Sequence, residues 1–197
     1  MLYLATASGP KVRKAMQDGV LGQMMQPNIG NLLLEGVEWA ADNGCFSDNW
    51  RPRKWLLFLQ RCKEAETVPL FATVPDVVGD SAATDELWER WSGVVASMGF
   101  VPAYVTQNGC RRIPDDAGAV FTGGDDEWKE GGAAYGLMKV GQARGLWTHM
   151  GRVNTKRRLQ LAHRHGYDSV DGTMLAFGPD KNLPILLRWL AELEMGH

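Results

Sequence analysis

The stretch PLFATVPDVVGDSAATDELWERWSGVVASMGFVPAYVT, residues 69–106, decides the fold. Pro69 to Val74 is a short apolar run closed by Pro75-Asp76, and it reads as a strand. From Ser81, with Asp80 placed as N-cap, Leu87, Trp88, Trp91, Val94, Val95 and Met98 share one helical face, and Gly99 is placed to end it. Pro102 to Thr106 is again an apolar run of strand length. A strand, a crossover helix and a strand make a βαβ unit, which joins parallel strands.

The same alternation extends in both directions. Upstream, Leu2 to Thr6 reads as a buried strand, Glu38 to Ala41 as another ending at Asp42, and Trp50 to Glu64 as a helix with Trp55, Leu56, Leu59 and Cys62 near the helical repeat. Residues 8–36, rich in Gly, Met and Gln, read mostly as loop with a short helix. Downstream, Ala119 to Thr122, Leu146 to Met150 and Asp168 to Asp171 read as strands. Glu127 to Arg144 reads as a glycine-weakened helix, Asn154 as the cap of a helix reaching His165, and Leu183 to Leu193 as the last helix. Between Thr106 and Ala119 there is no room for a full crossover helix. The pattern predicts seven strands in a compact, trimmed TIM-type (β/α) barrel with mostly parallel strands, formed by residues 1–197 as one domain. A doubly wound open sheet is the alternative, but no G-x-G-x-x-G follows the first strand, so dinucleotide binding has no support.

Composition narrows the class further. The chain has 197 residues, 45% of them hydrophobic, enough for one substantial core. A net charge of −2 argues against a non-specific nucleic-acid coat protein but leaves room for a local basic patch. Cys45, Cys62 and Cys110 form no C-x-x-C pair, so a disulfide framework and a zinc knuckle are both disfavoured, and a reducing, cytoplasmic setting is expected. No apolar run is long enough for a membrane span, and Met1 to Thr6 lacks the basic lead of a signal peptide.

Four segments carry the chemistry: Asp42-Asn43-Gly44-Cys45-Phe46, Val74-Pro75-Asp76, Thr106-Gln107-Asn108-Gly109 and Gly166-Tyr167-Asp168-Ser169-Val170-Asp171. Each lies where an apolar run gives way to turn formers, the position of active-site residues in a parallel barrel. Taken in order, together with Thr122-Gly123-Gly124, they resemble the queuine/archaeosine tRNA-guanine transglycosylase superfamily. The likeness is greatest to the phage and bacterial branch that inserts 7-deazaguanine bases into DNA. Asp42 to Phe46 is similar to the family's Asp-Ser-Gly-Gly-Phe, Gln107 to the glutamine of Val-Gln-Gly-Gly, and Asp171 falls on the nucleophile of Gly-Ile-Asp-x-Phe-Asp. The C-x-C-x-x-C…H zinc site of the tRNA enzymes has no counterpart here, and the chain is far shorter than theirs. Both departures point away from tRNA, toward a minimal enzyme acting on DNA or on a smaller nucleoside.

The resemblance implies a base-exchanging pentosyltransferase that replaces guanine in DNA with a free 7-deazaguanine such as preQ0. No cofactor and no metal are implied. A DNA partner and a cytoplasmic site (the host's, if the gene is a phage's) are, whereas oligomeric state stays open. Exchange with retention needs a carboxylate that holds the sugar while bases swap, with a second carboxyl about 5 Å away in retaining glycosidases. Asp171 takes the first role and Asp42, as general acid/base, the second. Strand alternation puts Asp171 and Ser169 on one face, leaving Asp168 to a structural hydrogen bond. Read locally, Asp171-Gly172 is a turn after the strand and Asp42-Asn43-Gly44 an Asx-turn, and it is the order of the motifs that favours the catalytic reading. Asp76 and Gln107 suit the edge of a purine-like base, and the backbone N–H groups of Gly123 and Gly124 suit its carbonyl.

Two basic clusters suit a DNA backbone: Arg51, Arg53 and Lys54, and Arg152 with Lys156, Arg157 and Arg158. The latter three occupy the first turn of a helix, where the macrodipole disfavours cations, so an anion is expected nearby. His149 reads as a hydrogen-bonded core or substrate-contact residue. His163 and His165 fall on different helix faces and cannot share a metal. Trp50 and Trp128 are the tryptophans placed to stack on a base or to close the mouth. Exchange on tRNA, a nucleoside hydrolase or deoxyribosyltransferase, and a non-enzymatic subunit of a DNA-modification complex are the competing readings.

Overall fold

Eight parallel strands pair in chain order and close into a barrel. They are β1 (Leu2–Ala5), β2 (Gly22–Met25), β3 (Trp39–Ala41), β4 (Ala72–Thr73), β5 (Pro102–Thr106), β6 (Ala119–Thr122), β7 (Trp147–Met150) and β8 (Ser169–Asp171). The structure is a computed structural model that describes residues 1–27, 30, 32–47, 50–65 and 67–196. Closure is made by β8 against β1, with Leu2, Tyr3 and Leu4 level with Ser169, Val170 and Asp171. The helices are α1 (Pro10–Gln17), α2 (Pro52–Lys63), α3 (Ser81–Ser97), α4 (Asp126–Glu130), α5 (Gly132–Ala143), α6 (Lys156–His165) and α7 (Pro179–Glu194).

The predicted TIM-type barrel is therefore the fold, with one strand more than the seven expected. The extra strand, β2, lies inside the stretch read as loop. Its Gln23 is fully buried because the side chain accepts from Leu34 N–H at 2.9 Å and donates to the Leu32 carbonyl at 3.0 Å. A polar core residue in a strand without β-branched neighbours left no alternating pattern to see. The barrel is trimmed at two connections: residues 107–118 carry no helix, and none occurs among the described residues of 26–38.

Other boundaries differ from expectation: β4 is confined to Ala72–Thr73 within the run Pro69 to Val74, and three helix limits shift. The helix expected over 127–144 is broken at Gly131, whose extended backbone ends α4 and opens α5. The cap of α6 is Thr155, whose hydroxyl accepts from Arg158 N–H at 3.2 Å, whereas Asn154 Oδ1 accepts from Thr173 N–H at 2.8 Å. The last helix starts at Pro179, four residues before Leu183, because proline suits the first helical turn.

Alternation along the short strands sorts side chains into layers. Leu4, Met24, Ala40, Phe71, Ala103 and Ala119 fill the barrel interior. Tyr3, Ala5, Met150 and Val170 face outward onto α1, α6 and α7 side chains such as Val12, Leu159 and Leu186. This layering turns Val170 out and Asp171 in. The chain then leaves β8 through Gly172, where a Cβ would collide with the Tyr3 hydroxyl, sit 2.6 Å from Asn154 Oδ1 and lie 2.7 Å from the Val153 carbonyl. Gly172→Ala is expected to destabilise the fold by about 1–3 kcal/mol, read as a lower denaturation midpoint. No change in that midpoint would mean that the exit from β8 is looser than its packing implies.

Candidate active site

The carboxyl ends of the strands surround an open cavity of about 450 Å³. Gln26 follows β2, Asp42 follows β3, Asp76 follows β4, Gln107 follows β5, Gly123 and Gly124 follow β6, Gly151 and Arg152 follow β7, and Asp171 ends β8. Asp42, Asp76, Gln107, Gly123, Gly124 and Asp171, distant in sequence, thus line one space. Its volume lies in the range of small-molecule sites, ~300–1,000 Å³.

Asp171 is held from beneath by a hydrogen-bonded chain. Trp147 Nε1–H can only donate, and it donates to Ser169 Oγ at 2.8 Å. The Ser169 hydroxyl in turn lies 2.8 Å from His149 Nδ1 and can donate to it, which leaves the imidazole proton on Nε2. Nε2 then donates to Asp171 Oδ1 at 3.0 Å. The same oxygen accepts from Arg152 N–H at 3.2 Å. Among the described residues Oδ2 has no partner, so it is the oxygen left for a ligand. The His149 ring is fully buried, 4.5 Å from the Phe121 ring and 5.2 Å from that of Phe71, which fixes its plane. Asp168 faces away from the barrel interior and accepts from both the Thr148 backbone N–H, at 2.7 Å, and its hydroxyl, at 2.8 Å.

Asp42 lies in a different electrostatic setting. Burial, then the negative charges of Asp171 and Asp76, push its pKa up to about 7, against the opposing pull of the Asn43 and Gly44 N–H groups. A carboxyl poised there can give and take a proton near neutral pH. Asp76 is raised less, to about 6, chiefly by burial. It is restrained by two amides: Asn43 Nδ2 donates to Oδ1 at 2.7 Å and Gln107 Nε2 to Oδ2 at 2.6 Å. Gln107 Oε1 accepts from Gly79 N–H at 2.8 Å, so the amide is clamped with its orientation defined. Asp76 retains lone pairs for donors on a ligand; Gln107 serves first to aim Asp76.

Two expectations about donors and stacking need correction. The Gly123 N–H is used within the sheet, donating to the Thr106 carbonyl at 3.0 Å, so it is not offered to the cavity. Gly123 instead provides space: a Cβ there would lie 2.7 Å from Val105 and 2.9 Å from Gln107 Nε2. Gly124 (φ 74°) packs beneath Trp128, whose ring a Cβ would meet at 2.5 Å. Trp128 is thereby used to cover the β6 turn, and Trp50 packs toward Trp55, with ring centres 6.4 Å apart. Neither lines the cavity. The aromatic residues at its mouth are Phe46 and Phe177, 60% and 73% exposed.

The basic residues divide into two kinds. Lys156, Arg157 and Arg158 find their anions within the chain: Lys156 pairs with Glu192, Arg157 with Glu130 at 2.6 Å, and Arg158 with Asp126 at 2.8 Å and Glu130 at 3.0 Å. The anion expected at the start of α6 is thus supplied by protein carboxylates, and these three residues are structural ties between α6 and its neighbours α4 and α7. Arg51, Arg53 and Lys54 are exposed at the start of α2. Arg152 is exposed on the cavity wall, and among the described residues it is the sole non-glycine with positive φ, 60°. That conformation costs roughly 1–2 kcal/mol. Lys129, missed in the sequence, also lines the cavity, with its side chain 1% exposed and 3.3 Å from Asp126. The links from His149 to Ser169 and Asp171 escaped sequence reading because they are set by strand register, and the burial of Lys129 on the cavity wall because it depends on where α4 packs.

No protein-family model matches the chain, and no curated protein matches its sequence. Among the described residues no group of three or more His, Cys, Asp or Glu is arranged to hold a metal ion. No helix among them is long and apolar enough to cross a membrane.

Proposed function

We propose that the protein is a base-exchanging transglycosylase that replaces guanine in DNA with a free 7-deazaguanine of the preQ0 type. The observation that carries the reading is the convergence of Asp42, from the end of β3, and Asp171, from the end of β8, on one cavity that also holds Asp76 clamped by two amides. In the first half-reaction Asp171 Oδ2 attacks the anomeric carbon as the glycosidic bond to guanine breaks, and protonated Asp42 donates to the departing base. In the second, the incoming base attacks the same carbon, the aspartyl–sugar bond breaks, and ionised Asp42 accepts the proton that the new base loses. Two inversions give net retention, and neither oxidant nor metal enters the balance. Asp76 accepts from the donor edge of the base, and the guanine reaches the cavity by leaving the helical stack.

The direct test is mass spectrometry of nucleosides released from DNA after incubation with the protein and preQ0. The 7-deazaguanine nucleoside is expected in the digest, with guanine released in equal amount; its absence from DNA but presence in tRNA would move the substrate to tRNA. A second reading has one observation in its favour. With Lys156, Arg157 and Arg158 engaged by carboxylates, the rim is less basic than the sequence suggested, which suits a deoxyribosyltransferase or hydrolase acting on free nucleosides. Exchange on free deoxyguanosine as efficient as on DNA would favour it.

His149 is assigned a positioning role through Asp171. His149→Ala removes the Nε2–H donor and frees the carboxylate to rotate, and misplacement of a reacting group by about 1 Å costs on the order of 10²-fold in rate. The expected signature is a lower kcat with KM nearly unchanged. An equal fall in affinity for preQ0, with kcat kept, would contradict a role exercised through Asp171.

A further inference from the structure

Two large aromatic side chains stand exposed at the mouth of the cavity, where an apolar surface has no internal use. Phe46 follows Asp42 in the loop after β3, and Phe177 lies in the loop after β8, downstream of Asp171. Both are fixed at the backbone. Next to Phe46, the turn is closed by Ser47 N–H donating to the Gly44 carbonyl at 3.2 Å and by Cys45 N–H donating to Asn43 Oδ1 at 2.7 Å. The carbonyl of Phe177 accepts from Asn182 Nδ2 at 2.5 Å, and the same amide donates to the Met174 carbonyl at 2.8 Å. The rings are therefore presented, with little backbone entropy left to lose on binding.

Arg152 adds a cation to this edge. Its guanidinium lies 3.8 Å over the Phe46 ring. Its left-handed backbone is held from both sides, by its N–H to Asp171 Oδ1 and by its carbonyl, which accepts from Arg158 Nη1 at 3.1 Å. The strained residue thus links the proposed nucleophile to the aromatic mouth. A guanidinium stacked on one face of an exposed aromatic ring leaves the other face for a flat base and the guanidinium N–H groups for its phosphate. A free base carries no phosphate, and the interior of the cavity already offers Asp76 to it.

We propose that Phe46, Arg152 and Phe177 form a stacking subsite for an unpaired nucleobase adjoining the one exchanged, with Arg152 on the intervening phosphate. The proposal rests on the base-exchange reading and adds that the polymer is gripped as a locally unstacked strand. The subsite lies at the mouth of the same cavity whose interior offers Asp76 to the free base, so the polymer and the free base meet different side chains.

The test measures two affinities on the same variants. Phe177→Ala, a change at an exposed side chain that leaves thermal stability unaltered, is expected to weaken binding of a short fluorescein-labelled single strand containing guanine by roughly 5- to 100-fold, with Phe177→Trp restoring it. Binding of preQ0, followed by calorimetry, is expected to stay within about twofold for both. Arg152→Gln is expected to weaken the strand and to lower the slope of log affinity against log salt by about 0.7, the value for one phosphate contact on a single strand. Unchanged strand affinity in Phe177→Ala overturns the subsite while leaving base exchange intact. Loss of preQ0 affinity instead would make the rings a cover for the free base and would also overturn it. A wild-type protein that binds no strand at all removes both the subsite and the DNA reading.

Discussion

Asp171→Asn is expected to abolish base exchange, lowering the rate by at least about 10⁴-fold, while strand binding and the thermal midpoint stay close to wild type. The amide keeps the shape of the carboxylate, and its carbonyl oxygen can still accept from His149 Nε2 and Arg152 N–H, the two donors now 3.0 and 3.2 Å from Oδ1. What it loses is the negative charge and the oxygen able to form a bond to the sugar. This separation of chemistry from scaffolding makes the variant informative. Label from guanine or preQ0 entering DNA at a wild-type rate in Asp171→Asn would remove Asp171 from the mechanism.

The second large effect concerns Asp42 and pH. With its pKa near 7, Asp42 supplies a proton to the departing guanine below neutrality and loses that ability above it. kcat/KM is expected to fall toward tenfold per pH unit above about 7, since it reports the protonation state of the free enzyme. Asp42→Asn is expected to lose about 10²–10⁴-fold and to flatten that limb. The same substitution should act on stability in the opposite sense to its effect on activity. The folded-state pKa is raised above the unfolded value of 3.8, so the stabilising preference for the protonated form is full below about 4 and is lost as pH rises through about 7. Above neutrality an ionised Asp42 faces Asp171 and Asp76 in a buried setting. Asp42→Asn therefore should raise the midpoint of chemical denaturation at pH 8 and match wild type near pH 4. A midpoint that falls at pH 8 would mean that Asp42 is stabilised as an anion by more than its two backbone donors and the Thr73 hydroxyl, 3.4 Å from Oδ1.

The sequence shows the barrel and much of the cavity for one reason: both are written in short-range patterns. The βαβ unit over residues 69–106 has clear periods and clear stops, and in a parallel barrel the residues just past each strand must converge. That convergence puts Asp42, Asp76, Gln107 and Asp171 at one mouth, but locally Asp42 and Asp171 read as turn residues, and the order of the motifs along the whole chain is what makes them a catalytic pair; the alternation that turns Asp171 inward also turns Asp168 out. β2 was not readable, since Gln23 is buried through bonds to Leu32 and Leu34 that exist only in the folded loop. The link from His149 to Asp171 depends on β7 and β8 being paired with His149 level with Ser169. The ties from Arg157 and Arg158 to Glu130 join residues well apart in sequence, so the basic cluster looked free when it is mostly neutralised at home. Phe46 and Phe177 gave no signal of their own; a lone phenylalanine in a loop becomes notable only when the fold leaves it exposed beside a cavity.

The claim on which the rest depends is that a side-chain oxygen of residue 171 becomes covalently joined to the sugar. Wild-type protein mixed with guanine-containing DNA, quenched under denaturing conditions and digested with protease and nuclease, should yield a peptide carrying a deoxyribose-phosphate mass on Asp171. That adduct should disappear when preQ0 is added before the quench. Exchange that proceeds while the modified peptide maps to another residue, or with no adduct at any time point, would contradict the account.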